Sequence, residues 1–229
     1  MTNMSRRQFL YASALWSFSS PMSLALASSR KEGLARESGL AITTAVLKAA
    51  YISEMMAHRH YVGFCRKAVE ERYPNMAYFF RALAISEKIH GENYKRILET
   101  LNGGVEEPEL EIVVADTKAN LGRAAEKELL KIRKTYPDFL GRLEKESHDQ
   151  AVIHCMYSWK SHRQHEQKIK EIQRYWKLFF GSVARRIESL KLDFHVCEIC
   201  GSTVDEPPKT PCEICNYPAS YYQKVPRPA

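Results

Sequence analysis

The chain has 229 residues, 45% of them hydrophobic, and a formal charge of +7, which suits one substantial domain plus a small module. Its basic residues are interspersed with Glu along helical stretches, as on a solvated surface. There is no arginine-rich run and no nucleic-acid motif, so nucleic acid is not expected as a partner.

The first informative segment, "SRRQFLYASALWSFSSPMSLALASS", carries the Arg6-Arg7 pair, a short apolar stretch diluted by serines and Pro21, and the small residues Ala25-Leu26-Ala27. It resembles a twin-arginine export signal, because Ser5, Arg6, Arg7, Phe9 and Leu10 stand in the order of that signal class. The apolar stretch falls short of the ~20 residues a membrane-spanning helix needs. The expectation is a signal peptide over residues 1–27, export to the periplasm by the twin-arginine machinery, and a mature chain from Ser28. That route carries folded proteins, and loading a metal is a reason to fold first.

From Gly39 to Arg72 apolar residues recur at helical intervals, predicting a long helix that "YPN" at Tyr73–Asn75 ends. A second helix runs to about Leu101, closed by "NGG". Residues 105–115 lack a helical period and read as a connection long enough to cross a bundle. A third helix starts near Asp116 with a kink expected at Pro137, and a fourth spans about His148 to Phe180. Four helices with a long middle connection give an all-α, ferritin-like four-helix bundle over residues 39–181.

The halves repeat. Glu54 and Glu87 are 33 residues apart, Glu128 and His162 are 34 apart, and His90 and His165 each follow by three. Three-residue spacing puts both members of a pair on one helix face. Di-iron carboxylate bundles take a Glu from each of two helices and Glu-x-x-His from each of the other two, because carboxylates neutralise and bridge the cations and imidazoles cap them. Glu54, Glu87, His90 and Glu128 match this pattern, and His162 replaces the fourth carboxylate. His58 and His60 read as surface groups, His154 and Tyr61 as core or near-site residues, and Cys65 and Cys155 as buried thiols. In the tail, Cys197-x-x-Cys200 and Cys212-x-x-Cys215 are two knuckles suited to one tetrahedral four-thiolate ion over residues 192–222. Disulfides are the competing use in an exported protein, and thiolate geometry alone allows zinc or iron.

Together, "SEMMAHRHY" around Glu54, "FFRALAISEKIHGENY", "NLGRAAEKELLKIRKTYPDF" and the cysteine module make residues 39–222 resemble the rubrerythrin family. The resemblance implies a non-haem di-iron bundle site ligated by Glu54, Glu87, His90, Glu128, His162 and His165. It also implies a rubredoxin-like iron at the four cysteines, with zinc as the alternative, and an oxidoreductase that reduces hydrogen peroxide or oxygen. An electron donor protein and a head-to-tail homodimer, placing one subunit's cysteine module near the other's bundle, are implied as well. Two positions depart from the family pattern: Lys131 and His162 stand where carboxylates are expected. Three carboxylates against two ferrous ions leave a positive remainder, so the second metal position is expected to be weak or empty, or the couple more oxidising. The long stem of Lys131 is expected to carry its ammonium to solvent. A metal-binding or redox-sensing protein with an altered bundle site is the alternative.

Overall fold

A computed structural model describes residues 40–106, 109, 111–176 and 192–229. The expected signal peptide, residues 1–27, and the end of the expected fourth helix, residues 177–180, lie outside them. Helix α1 is Ala41–Glu70 and α2 is Pro74–Thr100. Between them Pro74 starts the new helix, where its missing N–H costs nothing. The third rod is composite: α3, Thr117–Leu130, runs through a π-helical turn, Lys131–Thr135, into α4, Tyr136–Leu143. Helix α5 is Asp149–Trp176. Asp116 caps α3 by accepting from Ala119 N–H at 2.8 Å. Glu146, in the turn before α5, accepts from the first N–H groups of α1, those of Ile42 and Thr43.

The irregularity expected at Pro137 takes the form of the π turn that precedes it. In a π register the N–H of residue 137 would serve the carbonyl of Ile132, five residues back; proline has none, and the Trp159 indole N–H of α5 bonds that carbonyl at 3.0 Å instead. The carbonyl that the proline cannot serve is thus satisfied, and the helix resumes as α4 after the π turn.

Along each rod the polar site residues lie between two apolar clusters. One contains Phe64, Phe79, Phe80 and Leu83, the other Leu47, Tyr94, Leu98 and Leu143. The tail is a three-stranded antiparallel sheet in the order β2-β1-β3, from β1 His195–Cys197, β2 Thr203–Val204 and β3 Tyr222–Lys224. It packs on the bundle through Phe194, Val196 and Val225, which join the first apolar cluster. No helix among the described residues is long and apolar enough to cross a membrane.

Candidate metal centres

The four rods bring Glu54, Glu87, His90, Glu128, His162 and His165 into one interior pocket, each no more than 1% exposed. Their ligand atoms form two overlapping groups, Glu54–Glu87–His90–His162 and Glu87–Glu128–His162–His165, each with all atoms within 4.8 Å of one another. His162 belongs to both because its ring lies across the pocket. Its Nδ1 is 2.7 Å from Glu128 Oε2 and 3.6 Å from Glu87 Oε1, while its Nε2 is 3.5 Å from Glu54 Oε2.

The expectation for Lys131 is overturned. Its residue is only 6% exposed, and the ammonium turns inward, 2.6 Å from Glu54 Oε2 and 3.4 Å from Glu87 Oε2. Lys131 follows Glu128 by three residues with its N–H still bonded to the Lys127 carbonyl, so α3 itself carries it to the face of Glu128, and the π turn adds Tyr136. In an α-helix Lys131 and Tyr136, five residues apart, would point about 140° apart; with Tyr136 N–H bonded to the Lys131 carbonyl, both face Glu54. The Tyr136 hydroxyl donates to Glu54 Oε1 at 2.7 Å, and the Tyr61 hydroxyl donates to Glu128 Oε1 at 2.6 Å. Each half of the chain thus lends a tyrosine to the other half's first glutamate. Tyr61 follows Glu54 by seven residues and Tyr136 follows Glu128 by eight, a one-residue difference that the π turn absorbs.

The electrostatics follow from these neighbours. Burial opposes the charge on Glu54, but Lys131 and then His162 hold its pKa well below the ordinary carboxylate range. Glu128 is lowered likewise against burial, by His162 and His165. Burial also opposes the charge on Lys131, and Glu54, Glu87 and Glu128 outweigh it, raising the pKa. His162 is pushed up to about 10: burial and Lys131 work against its proton, and Glu87, Glu128 and Glu54 overcome both. His165 is raised for the same reason, mainly by Glu128 and Glu87 once burial is overcome.

Whether a metal fits is decided by atoms without partners. Glu87 Oε1, His165 Nδ1 and His162 Nε2 are buried with no hydrogen bond, and a buried polar atom left so costs about 1–3 kcal/mol. Two of them, Glu87 Oε1 and His165 Nδ1, face each other at 3.4 Å in the second group. A cation among Glu87, Glu128, His162 and His165 would satisfy both. In the first group the Lys131 ammonium already stands between Glu54 and Glu87.

The tail holds the second centre. All four cysteines are buried, with Sγ separations of 3.8 Å for Cys197–Cys215 and 3.5 Å for Cys200–Cys212, and no cysteine is in a disulfide. The four sulfurs fall within 4.8 Å of one another, too far apart for the ~2.05 Å of a disulfide and suited to one tetrahedral ion. Hydrogen bonds from Cys197 and Cys200, and then from the Tyr222 hydroxyl, hold the Cys212 thiol far below its ordinary value. Cys212 is thus the member of the cluster that most readily becomes a thiolate.

The two centres touch within one chain. His90 Nε2 donates to the Cys200 carbonyl at 3.0 Å, since a carbonyl can only accept. The Gly201 carbonyl accepts from Ser86 at 2.6 Å and from Ser161 at 3.0 Å, and Asn93 donates to the Ile199 carbonyl at 2.9 Å. Gly201 has φ 75°, and a Cβ there would lie 2.4 Å from His90 Nε2, so only glycine permits this approach. The nearness of cysteine module and bundle that the resemblance assigns to two subunits is met here inside one.

The remaining candidates stand apart. His58 and His60 are half-buried rather than on the surface, each hydrogen-bonded through Nδ1 to a backbone carbonyl, Ala84 at 2.7 Å and Met56 at 2.9 Å. His154 is outside both ligand groups, and burial, with Arg96 and His90 adding to it, lowers it to about 4. Cys65 and Cys155 are buried thiols, Cys155 pushed up to about 12 chiefly by burial. Tyr136 was not singled out from the sequence. The signals that mark it are its place before Pro137 and the eight-residue offset from Glu128.

Residues 45–173 match the rubrerythrin family. The chain belongs to the rubrerythrin family. Members of that family are non-haem iron oxidoreductases. Among its relatives, rubrerythrin-2 of Clostridium acetobutylicum is 26% identical over 187 residues, covering 80% of this chain and 96% of the relative. Nigerythrin of Nitratidesulfovibrio vulgaris is 29% identical over 177 residues, covering 75% and 81%. The solved structure of nigerythrin in its fully reduced, all-ferrous state superposes with a TM-score of 0.68 at 24% identity, over 80% of this chain and 86% of that one. The fold is thus a ferritin-like helical bundle with a C-terminal four-cysteine module, as the rubrerythrin resemblance implies.

Proposed function

We propose that this rubrerythrin-family chain is an exported, periplasmic peroxide reductase in which electrons pass within one chain from the four-cysteine centre to the bundle. The observation that carries the reading is the hydrogen bond from His90 to the Cys200 carbonyl. It joins a cysteine of one metal-suited cluster to an imidazole of the other through a single backbone carbonyl. Iron in the two places would supply one-electron redox chemistry and Lewis acidity.

The chain's own residues do the rest. Tyr61 and Tyr136 fix the carboxylates of Glu128 and Glu54 by donating to one oxygen of each, leaving the other oxygen to face the pocket. Both hydroxyls keep their protons, because burial first and the neighbouring carboxylates second raise their pKa values well above the ordinary range. A partly open cavity of about 440 Å³, lined by Tyr61, Phe64, Leu130 and Lys131 among others, leads in between α1 and α3. It admits a molecule as small as hydrogen peroxide, and Lys131, whose ammonium is paired with Glu54, is among its lining residues. An external electron donor protein, a homodimer and the twin-arginine export machinery complete the proposal.

Stopped-flow oxidation of the anaerobically reduced, iron-loaded protein tests it: peroxide should reoxidise both centres much faster than air-saturated buffer. Equal rates would discard peroxide as the substrate. A second reading, metal binding or redox sensing without efficient turnover, is favoured by the ammonium of Lys131 standing where the family carries a carboxylate, and equal rates would leave it standing.

A further inference from the structure

We infer that the bundle of this chain holds one divalent ion instead of two, with the Lys131 ammonium serving as the second cation. The ion belongs among Glu87, Glu128, His162 and His165, where the partnerless Glu87 Oε1 and His165 Nδ1 meet at 3.4 Å in full burial. The other position is taken. Lys131 Nζ lies 2.6 Å from Glu54 Oε2 and 3.4 Å from Glu87 Oε2, the oxygens that a metal there would require at about 2.0–2.2 Å. An ammonium and a metal ion cannot share that space.

Charge counting points the same way. Glu54, Glu87 and Glu128 bring three negative charges, and one divalent ion plus one ammonium bring three positive ones. Two divalent ions beside Lys131 would leave two uncompensated positive charges among buried side chains, and buried charge without a partner is expensive. Glu54 is consequently a positioning residue and not a ligand. It accepts from Lys131 on one oxygen and from Tyr136 on the other, and so holds the ammonium in the second position.

The inference uses the metal-binding half of the proposed function and none of its chemistry, so the two fail separately. Anomalous diffraction from crystals of the full chain soaked in excess ferrous iron under anaerobic conditions reads the occupancy directly. The expected result is one bundle peak bounded by Glu87, Glu128, His162 and His165, beside a separate peak at the cysteines, and two metal ions per chain by elemental analysis. A second bundle peak between Glu54, Glu87 and His90, with Lys131 swung away, would overturn it while leaving peroxide reduction intact. Lys131→Met removes the ammonium at similar volume and should raise the count to three ions per chain. A Lys131→Met protein that folds, by circular dichroism, yet still binds one bundle ion would overturn the role given to Lys131. The wild-type count decides the matter if that variant does not fold.

Discussion

The two halves of the bundle are built on one plan and differ in chemistry. The first, α1 and α2, consists of two uninterrupted helices and contributes two carboxylates and one imidazole, Glu54, Glu87 and His90. The second, α3 to α5, carries a π turn and contributes one carboxylate, two imidazoles and an ammonium, Glu128, His162, His165 and Lys131. An acid-rich half thus faces a base-rich half, and the metal-free pocket is held together by ion pairs between them. A duplicated scaffold can keep its geometry while its halves trade a metal for side-chain charge.

The most severe way to break this pairing is Glu54→Gln. It strips Lys131 of its nearest carboxylate and should cost about 3–5 kcal/mol in urea unfolding of the metal-free chain, as loss of one member of a buried pair does. Glu128→Gln should cost less, because its partner His162 can release its proton where a lysine holds it; equal losses would contradict the assigned asymmetry. Next, Gly201→Ala drives a Cβ against His90 and forces a left-handed backbone on a non-glycine residue. About 2–4 kcal/mol of destabilisation is expected, with slower electron exchange between the centres measured by rapid mixing.

Acidity sharpens the comparison without mutation. The folded pKa of His162 is raised to about 10 from an ordinary value of 6.5. Its stabilising contribution is therefore fully present below pH 6.5 and is lost as pH rises through about 10. The melting temperature of the metal-free protein should fall over that interval, with a shallower fall in His162→Gln; an identical slope in that variant would show that His162 is not the group responsible. The smallest effect expected is that of Trp159→Phe, which leaves the Ile132 carbonyl unserved beside Pro137 and should cost about 1–2 kcal/mol by thermal unfolding.

Much of this was legible in the sequence because helical period and three-residue spacing are local. They place Glu87 with His90 and His162 with His165 on shared faces, and the repeat across the halves brings those faces together. The paired cysteine knuckles are equally local. The place of Tyr136 was not legible: an α-helical reading puts it and Lys131 on different faces, and only the π turn reconciles them, while for Lys131, which shares the face of Glu128, the unforeseen part was its pairing with Glu54 across the pocket. Nor could spacing reveal the docking of the tail, which rests on carbonyl groups of Ile199, Cys200 and Gly201 meeting Asn93, His90, Ser86 and Ser161, residues far apart along the chain.

The contact between His90 and the knuckle at Cys200 ties the tail to the bundle at a seam with little tolerance for change. A tail grafted from a relative would have to bring a glycine after its second cysteine and present its backbone to the same imidazole, or the recipient's ring would lose the anchor that sets its tilt. Exchange of the tail would accordingly succeed only between chains whose seams already agree.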